Sequence, residues 1–152
     1  MVMRLVTRLV MPPGLRKAAL TLHIICSVGW LGAIAAFVAV AVAAPPAWAP
    51  DAMELIVRIA VVPAAFASLV SGLLSSLGTA WGLLRHYWVI FKLGLNLFAT
   101  VILLLYARSM EERHGTTDAV HAGGAVLLLI VATVLAVYKP RGTTAYGRRK
   151  TA

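Results

Sequence analysis

The segment AALTLHIICSVGWLGAIAAFVAVAVA, residues 18–43, decides the fold of this chain. It runs for 26 residues without an Asp, Glu, Lys or Arg, yet it contains His23. A helix of about 20 apolar residues crosses the roughly 30 Å hydrocarbon core of a bilayer. Lipid cannot hydrogen-bond to the backbone, so a segment that spans it must be helical. The segment therefore predicts a transmembrane helix that carries a histidine.

Three further apolar segments of similar length follow, at residues 59–84, 87–107 and 119–138. Turn-forming and charged residues separate them, and the break between the second and third segments is only Leu-Arg-His-Tyr. The chain as a whole is 61% hydrophobic and 12% charged, which is typical of a membrane protein and not of a soluble domain of 152 residues. We predict an all-α fold, a transmembrane antiparallel four-helix bundle.

The distribution of basic residues predicts the orientation of this bundle. If the N-terminus is cytoplasmic, ten Lys and Arg residues fall on the cytoplasmic side and three on the other, with Lys92 just inside the third span. The positive-inside rule then places both termini in the cytoplasm, in a multi-pass protein of the cell inner (plasma) membrane. The bundle, 18–138, lies between a basic N-terminal segment, 1–17, and a basic tail, 139–152.

The net charge of +9 also bears on possible partners. Two clusters, Arg16-Lys17 and 148–150, are suited to anionic lipid headgroups, because each basic residue near such a surface contributes about 1 kcal/mol. Nucleic-acid binding is not expected, since the basic residues flank membrane spans and no folded nucleic-acid-reading module lies between them.

Ionisable residues inside a membrane are costly and therefore candidates for function. At about 1.5 Å per residue, His23 lies roughly 9 Å beyond Lys17 in the cytoplasmic leaflet, and Lys92 is at a similar depth. His121 is within about 5 Å of the outer surface, so roughly 16 Å separates it from His23 along the membrane normal. That separation is too large for both histidines to ligate one haem iron. With Arg85 and His86, Lys92 forms a cationic rim suited to carboxylates such as haem propionates.

Three stretches carry a resemblance to known families: LHIICSVGWLGAI (22–34), HYWVIFKLGLNL (86–97) and VLAVYKP (134–140). They resemble the HemJ-type and CopD-type haem-associated membrane proteins. With WGLLRHYWV (81–89) and VYKPRG (137–142), the chain also resembles an uncharacterised actinobacterial family of four-helix integral membrane proteins. The resemblance implies that His23 matches the family's haem-ligating histidine and Lys92 its third-span lysine. It thus implies a haem b site with His23 as the metal ligand.

Other interpretations of these residues stay open. His23 can form an interhelical hydrogen bond to a serine of the second span, as polar residues commonly do in membranes. Lys92 can extend its ammonium towards the cytoplasmic surface, and His86 can belong to an interfacial aromatic belt. The chain would then be a non-enzymatic accessory or structural subunit, or a small transporter that works as a homo-oligomer. No acid–base pair or activated nucleophile is visible, so enzymatic activity stays undecided.

Two residues outside this group also carry predictions. Pro63 lies near the start of the second span, where it should distort the helix and open a pocket towards the outer side. Glu54 and Arg58 are four residues apart, which predicts a surface ion pair.

Overall fold

The computed structural model describes residues 11–45, 47–78, 83–109, 117–140 and 142–149. Across these ranges the chain forms helices and no strand, with one isolated β-bridge between His86 and Thr143. The elements are α1 (Pro13–Ala43), α2 (Ala49–Ile56), a π-helical turn (Val57–Val61), α3 (Val62–Leu77), α4 (Tyr87–Ser109), α5 (Thr117–Tyr138) and α6 (Ala145–Arg149). Four long helices are apolar enough to cross a membrane, which confirms the prediction of four helical spans.

Helix α1 begins at Pro13, five residues before the apolar segment starts. Proline suits the first helical position, because its fixed φ is helical and its missing N–H would have no partner there. Consequently Arg16 and Lys17 lie on the first turns of α1, at one end of the helix. At the other end the backbone becomes extended at Ala44, directly before Pro45.

The second long helix starts earlier than the apolar pattern indicates, with Pro50 and Asp51 in the first turn of α2. An acidic residue there interacts favourably with the helix dipole. A π-helical turn immediately precedes Pro63, which lies at the start of α3. Proline has no N–H to donate to the carbonyl four residues earlier, so the wider turn accommodates the missing bond. The distortion expected at Pro63 is therefore a local widening of the helix.

Helix α1 packs against α2, α3 and α5, while α4 packs against α3 and α5. The buried core includes large residues of α1, residues of α2 and the π-helical turn, and mostly small residues of α3, α4 and α5; Ala65 and Ser68 are almost completely buried. Small residues allow the helix backbones to approach closely, as is usual in membrane bundles. The outer surface is apolar: Ile25 and Val28 are each 63% exposed. Four apolar helices with this surface fit an integral membrane protein in contact with a lipid bilayer.

The segment before α6 folds back onto the turn that precedes α4. The Thr144 N–H donates to the carbonyl of Arg85 at 3.0 Å, and the Thr144 hydroxyl donates to the carbonyl of Leu84 at 2.6 Å. The same hydroxyl accepts the Gly147 N–H at 3.0 Å, so Thr144 caps the short helix α6. Part of the basic tail is thus attached to the residues that the sequence places between the second and third spans.

Candidate functional site

A cavity of about 530 Å³ opens between α1, α3, α4 and the end of α5, and we call it the basic cavity. Four cationic side chains line it: Arg16, Lys17, Lys92 and Lys139. No Asp or Glu among the described residues does so. The remaining wall combines polar groups with apolar side chains such as Leu20, Leu69, Trp88, Val89 and Leu93. The basic cavity therefore combines positive charge and polar groups with a largely apolar wall.

His23 lies in the wall of this cavity and contacts two other helices. Its side chain is only 8% exposed. The imidazole Nδ1 is 3.1 Å from the Ser71 hydroxyl on α3, and Nε2 is 3.2 Å from the Lys92 ammonium nitrogen on α4. The interhelical bond from His23 to a serine of the second span is thus confirmed. The contact between His23 and Lys92 agrees with the similar depth that the residue count predicts for them.

The hydrogen-bond partners of Ser71 determine which nitrogen of the neutral imidazole carries the proton. The single hydroxyl proton of Ser71 is donated to the Ala67 carbonyl at 2.6 Å. Towards His23 the hydroxyl can therefore only accept, so Nδ1 donates and Nε2 keeps its lone pair. Lys92 then donates an N–H to Nε2. The result is a directed chain from Lys92 through the imidazole to Ser71 and the backbone of α3.

Further contacts hold α1 against α3 on both sides of His23. The hydroxyls of Ser27 and Ser68 are 3.0 Å apart, and the Ser75 hydroxyl donates to the Ala19 carbonyl at 3.1 Å. A methyl group added at Gly72 would lie 3.0 Å from the Cε1 atom of His23, so the ring lies directly against the α3 backbone. The imidazole is therefore held by hydrogen bonds at both nitrogens and by van der Waals contact at Cε1.

The predicted cationic rim differs from the cations that the cavity contains. Arg85 and His86 lie just before Trp88 and Val89, but neither is among the described residues that line the basic cavity. Their backbones are joined to Thr143 and Thr144 instead, and the His86 ring lies 6.4 Å from that of Trp88. Of the rim proposed from the sequence, the cavity includes Lys92 alone.

The other three cations of the cavity served in the sequence as markers of orientation, and Arg16 and Lys17 also as a cluster suited to anionic lipid headgroups. Arg16, Lys17 and Lys139 lie at the start of α1 and just beyond the end of α5. Asn96, one turn from Lys92 on α4, is a further buried polar residue of the wall. The i, i+4 spacing of Lys92 and Asn96 in the sequence indicated that the two residues share one face of a helix. Nothing in the sequence indicated that Arg16 and Lys139 line the same cavity.

His121 belongs to a different part of the molecule. It lines a second cavity, together with Tyr106, on which its ring stacks at a centroid distance of 5.4 Å. His23 does not line that cavity, and His121 does not line the basic cavity. The two histidines therefore face separate spaces, in keeping with the depth argument.

Whether a haem group fits the basic cavity depends on the ligand atoms that the cavity offers to the iron. Within the described ranges, no three His, Cys, Asp or Glu side chains are grouped as metal ligands. A haem iron would need a single imidazole nitrogen, and Nε2 of His23 is the candidate because Nδ1 donates to Ser71. Lys92, however, already donates to Nε2. Axial ligation by His23 therefore requires that the Lys92 contact be broken.

Comparison of the chain with protein-family models, with curated proteins and with solved structures gives no match.

Proposed function

We propose that the chain is a multi-pass membrane protein that binds an anionic amphiphile in the basic cavity. The observation that carries this proposal is the lining: four cations, no carboxylate of the described chain, and a largely apolar wall. A cavity of this volume is in the range of small-molecule binding sites, which combine apolar walls with a few polar groups. The charge selects an anionic head, and the apolar wall accepts the body of the molecule.

Among the four cations of the basic cavity, Lys92 lies furthest from the end of a helix. About two helical turns separate it from the loop before α4. An ammonium has three N–H donors, and one of them is used by His23 Nε2. The others can donate to an anionic head while the imidazole keeps the side chain in position. Arg16, Lys17 and Lys139 add charge nearer the mouth of the cavity.

Two membrane-soluble molecules share this chemistry: an anionic phospholipid and haem b, which carries two propionates on a flat apolar ring. For a phospholipid, Lys92 contacts the headgroup. For haem b, His23 would hold the iron and Arg16, Lys17 and Lys139 would hold the propionates, and Lys92 would have to release Nε2. Haem b would supply a redox-active iron. The resemblance to the HemJ-type and CopD-type families supports this second ligand, and the buried imidazole in the cavity wall favours it.

The phospholipid arm is tested by native mass spectrometry of the purified protein with phosphatidylglycerol or zwitterionic phosphatidylcholine. We expect preferential retention of one phosphatidylglycerol and about fivefold weaker retention in Lys92→Met, since one basic residue contributes about 1 kcal/mol. Arg58→Met is the matched control, because Arg58 is half-exposed and paired with Glu54 outside the basic cavity. Equal retention of both lipids, or equal loss in both variants, would refute the phospholipid arm.

The haem arm is tested by titrating the same protein with haem b and recording its absorption spectrum. We expect a Soret band that His23→Ala removes. Lys92→Met should keep or strengthen the band, because the substitution frees Nε2 for the iron. The two variants thus separate the ligands: loss of Lys92 weakens phospholipid binding but not haem ligation. If the spectrum has no Soret band, or if His23→Ala leaves the band unchanged, haem b is not bound through His23.

We also propose that the bundle is antiparallel and lies in the plasma membrane with both termini in the cytoplasm. Contacts between α1 and α3 support the antiparallel arrangement, because Ala19, His23 and Ser27 pair with Ser75, Ser71 and Ser68 in opposite residue order. The cations of the basic cavity lie around one space, which supports placing them on the same side of the membrane, and the positive-inside rule makes that side cytoplasmic.

Cysteine labelling tests the orientation in whole cells. In a Cys26→Ala background, Asp51→Cys should react with a membrane-impermeant maleimide in intact cells. Leu15→Cys, at the exposed start of α1, should react only after the membrane is permeabilised. Labelling in the reverse order would place the termini outside.

A further inference from the structure

A second cavity, of about 350 Å³, lies at the end of the bundle away from the basic cavity. We call it the aromatic cavity, because five rings line it: Trp30, Phe37, Phe98, Tyr106 and His121. Most of the remaining wall consists of aliphatic and small residues, including Val57 and Val61 of the π-helical turn. The cavity lies beside the π-helical turn that precedes Pro63, although Pro63 itself does not line it, and its wall is almost wholly apolar.

The rings of this wall contact one another in two geometries. Tyr106 stacks on His121, with the ring planes inclined by 29°, and meets Phe37 edge-to-face at a centroid distance of 6.1 Å. Aromatic rings attract further rings in the same offset-stacked and edge-to-face arrangements. A flat, unsaturated molecule therefore complements this wall better than a branched aliphatic one.

One polar atom in the wall lacks a partner. Trp30 is 2% exposed, and its Nε1–H has no hydrogen-bond acceptor among the described residues. Buried indole N–H groups usually find an acceptor, and leaving one without a partner is unfavourable. Trp30 is near the middle of the 31-residue helix α1. The chain of a lipid at that depth is hydrocarbon and brings no acceptor to it.

We propose that the aromatic cavity binds a membrane-soluble ring compound with a carbonyl oxygen, of the quinone type, which accepts the Trp30 Nε1–H. In the structure the Nε1 atom is buried, so a carbonyl oxygen reaches its N–H when the indole turns towards the cavity. The aromatic wall holds the ring, and the indole N–H sets its orientation. This site is separate from the basic cavity and shares none of its lining residues. Its occupancy does not depend on the function proposed for that cavity.

The probe pair for the test is tetramethyl-1,4-benzoquinone and tetramethylbenzene, which have similar shape but differ in their carbonyl oxygens. The protein is placed in phosphatidylcholine nanodiscs, and the indole N–H signals are recorded by ¹⁵N–¹H NMR. Four tryptophans give four indole signals. We expect the quinone, and not the hydrocarbon, to shift the Trp30 signal, which Trp30→Phe identifies by its disappearance.

Binding constants measured in the same samples complete the test. Trp30→Phe keeps an aromatic ring but removes the donor, so quinone binding should weaken about tenfold while tetramethylbenzene binding stays the same. Trp48→Phe is the matched control, because Trp48 is half-exposed and does not line the cavity. Equal effects of the two substitutions would overturn the proposal.

A second variant leaves Trp30 in place, should Trp30→Phe fail to fold. Gly124 lines the aromatic cavity, and an added Cβ meets no atom within 4 Å, so Gly124→Leu can occupy its space. Gly123 is equally open but does not line the cavity. We expect Gly124→Leu to weaken quinone binding at least tenfold and Gly123→Leu to leave it unchanged. An unshifted Trp30 signal, or equal binding of both probes, would mean that the cavity holds only hydrocarbon.

Discussion

Replacing Ser71 with alanine is the sharpest test of the bonded arrangement around His23. The substitution removes the side-chain acceptor of the imidazole Nδ1–H, which lies 3.1 Å from the Ser71 hydroxyl, and leaves the backbone of Ser68, which also bonds to His23. It also removes the bond from that hydroxyl to the Ala67 carbonyl within α3. The first loss affects the contact between helices, whereas the second is confined to one helix.

The expected loss of stability is about 1.5 kcal/mol. Hydrogen bonds between membrane helices contribute about 0.6 kcal/mol on average and up to about 1.7 kcal/mol. A buried donor left without its acceptor costs about 1–3 kcal/mol. Both His23 and Ser71 are more than nine-tenths buried, so neither group gains water in compensation. The value therefore belongs near the upper end of the range for membrane proteins.

Ser76→Ala is the matched control for this measurement. Ser76 is also on α3, and its hydroxyl donates to the Gly72 carbonyl of its own helix, as the Ser71 hydroxyl does to Ala67. No side chain of another helix is among the hydrogen-bond partners described for it. Its replacement thus removes the intrahelical bond alone, and we expect a loss below about 0.5 kcal/mol.

The free energies of unfolding can be measured by reversible SDS titration in mixed micelles. A double-mutant cycle with His23→Phe isolates the interaction, because Ser71→Ala should cost little once the imidazole is absent. The coupling energy should be about 1 kcal/mol. If Ser71→Ala costs no more than Ser76→Ala, or the same amount with and without His23, the bond does not stabilise the bundle.

Two other substitutions test neighbouring contacts. Gly72→Val should destabilise the bundle, because its Cβ would lie 3.0 Å from the His23 ring, whereas Gly94→Ala meets no atom within 4 Å and should have little effect on the unfolding midpoint. Thr144→Val removes the hydroxyl that donates to the Leu84 carbonyl, so amide hydrogen exchange in α6 should accelerate at least tenfold with little change in the transmembrane helices. Unchanged exchange in α6 would show that the tail does not depend on this contact.

The number and type of the long helices could be predicted from the sequence because the bilayer imposes a simple physical requirement. A segment such as 18–43 is long enough to span hydrocarbon and can satisfy its backbone there only as a helix. The equal depth of His23 and Lys92 also followed from residue counts, since a helix rises by a constant amount per residue. Such a count gives height along the membrane normal but no direction around the helix.

The direction in which each side chain points depended on the tertiary structure. In spans that are apolar on nearly every side, no polar face indicates which side meets a neighbouring helix. The pairing of His23 with Ser71 and Lys92 therefore required the packed bundle, and so did the direction of the hydrogen bonds through the imidazole. This pairing also changes the interpretation of Lys92, because a residue expected to face propionates donates to the nitrogen that an iron would need.

The same limit explains the cations of the basic cavity. The sequence grouped Arg85, His86 and Lys92 near one predicted membrane surface, but it could not show that Thr144 binds the backbone of Arg85. Nor could it show that Arg16 and Lys139, more than 120 residues apart, line one cavity. Hydropathy and charge determined the spans and the polar candidates within them, because both depend on local composition. The side-chain neighbours were decided by helix packing, which depends on the relative rotation and contact of whole helices.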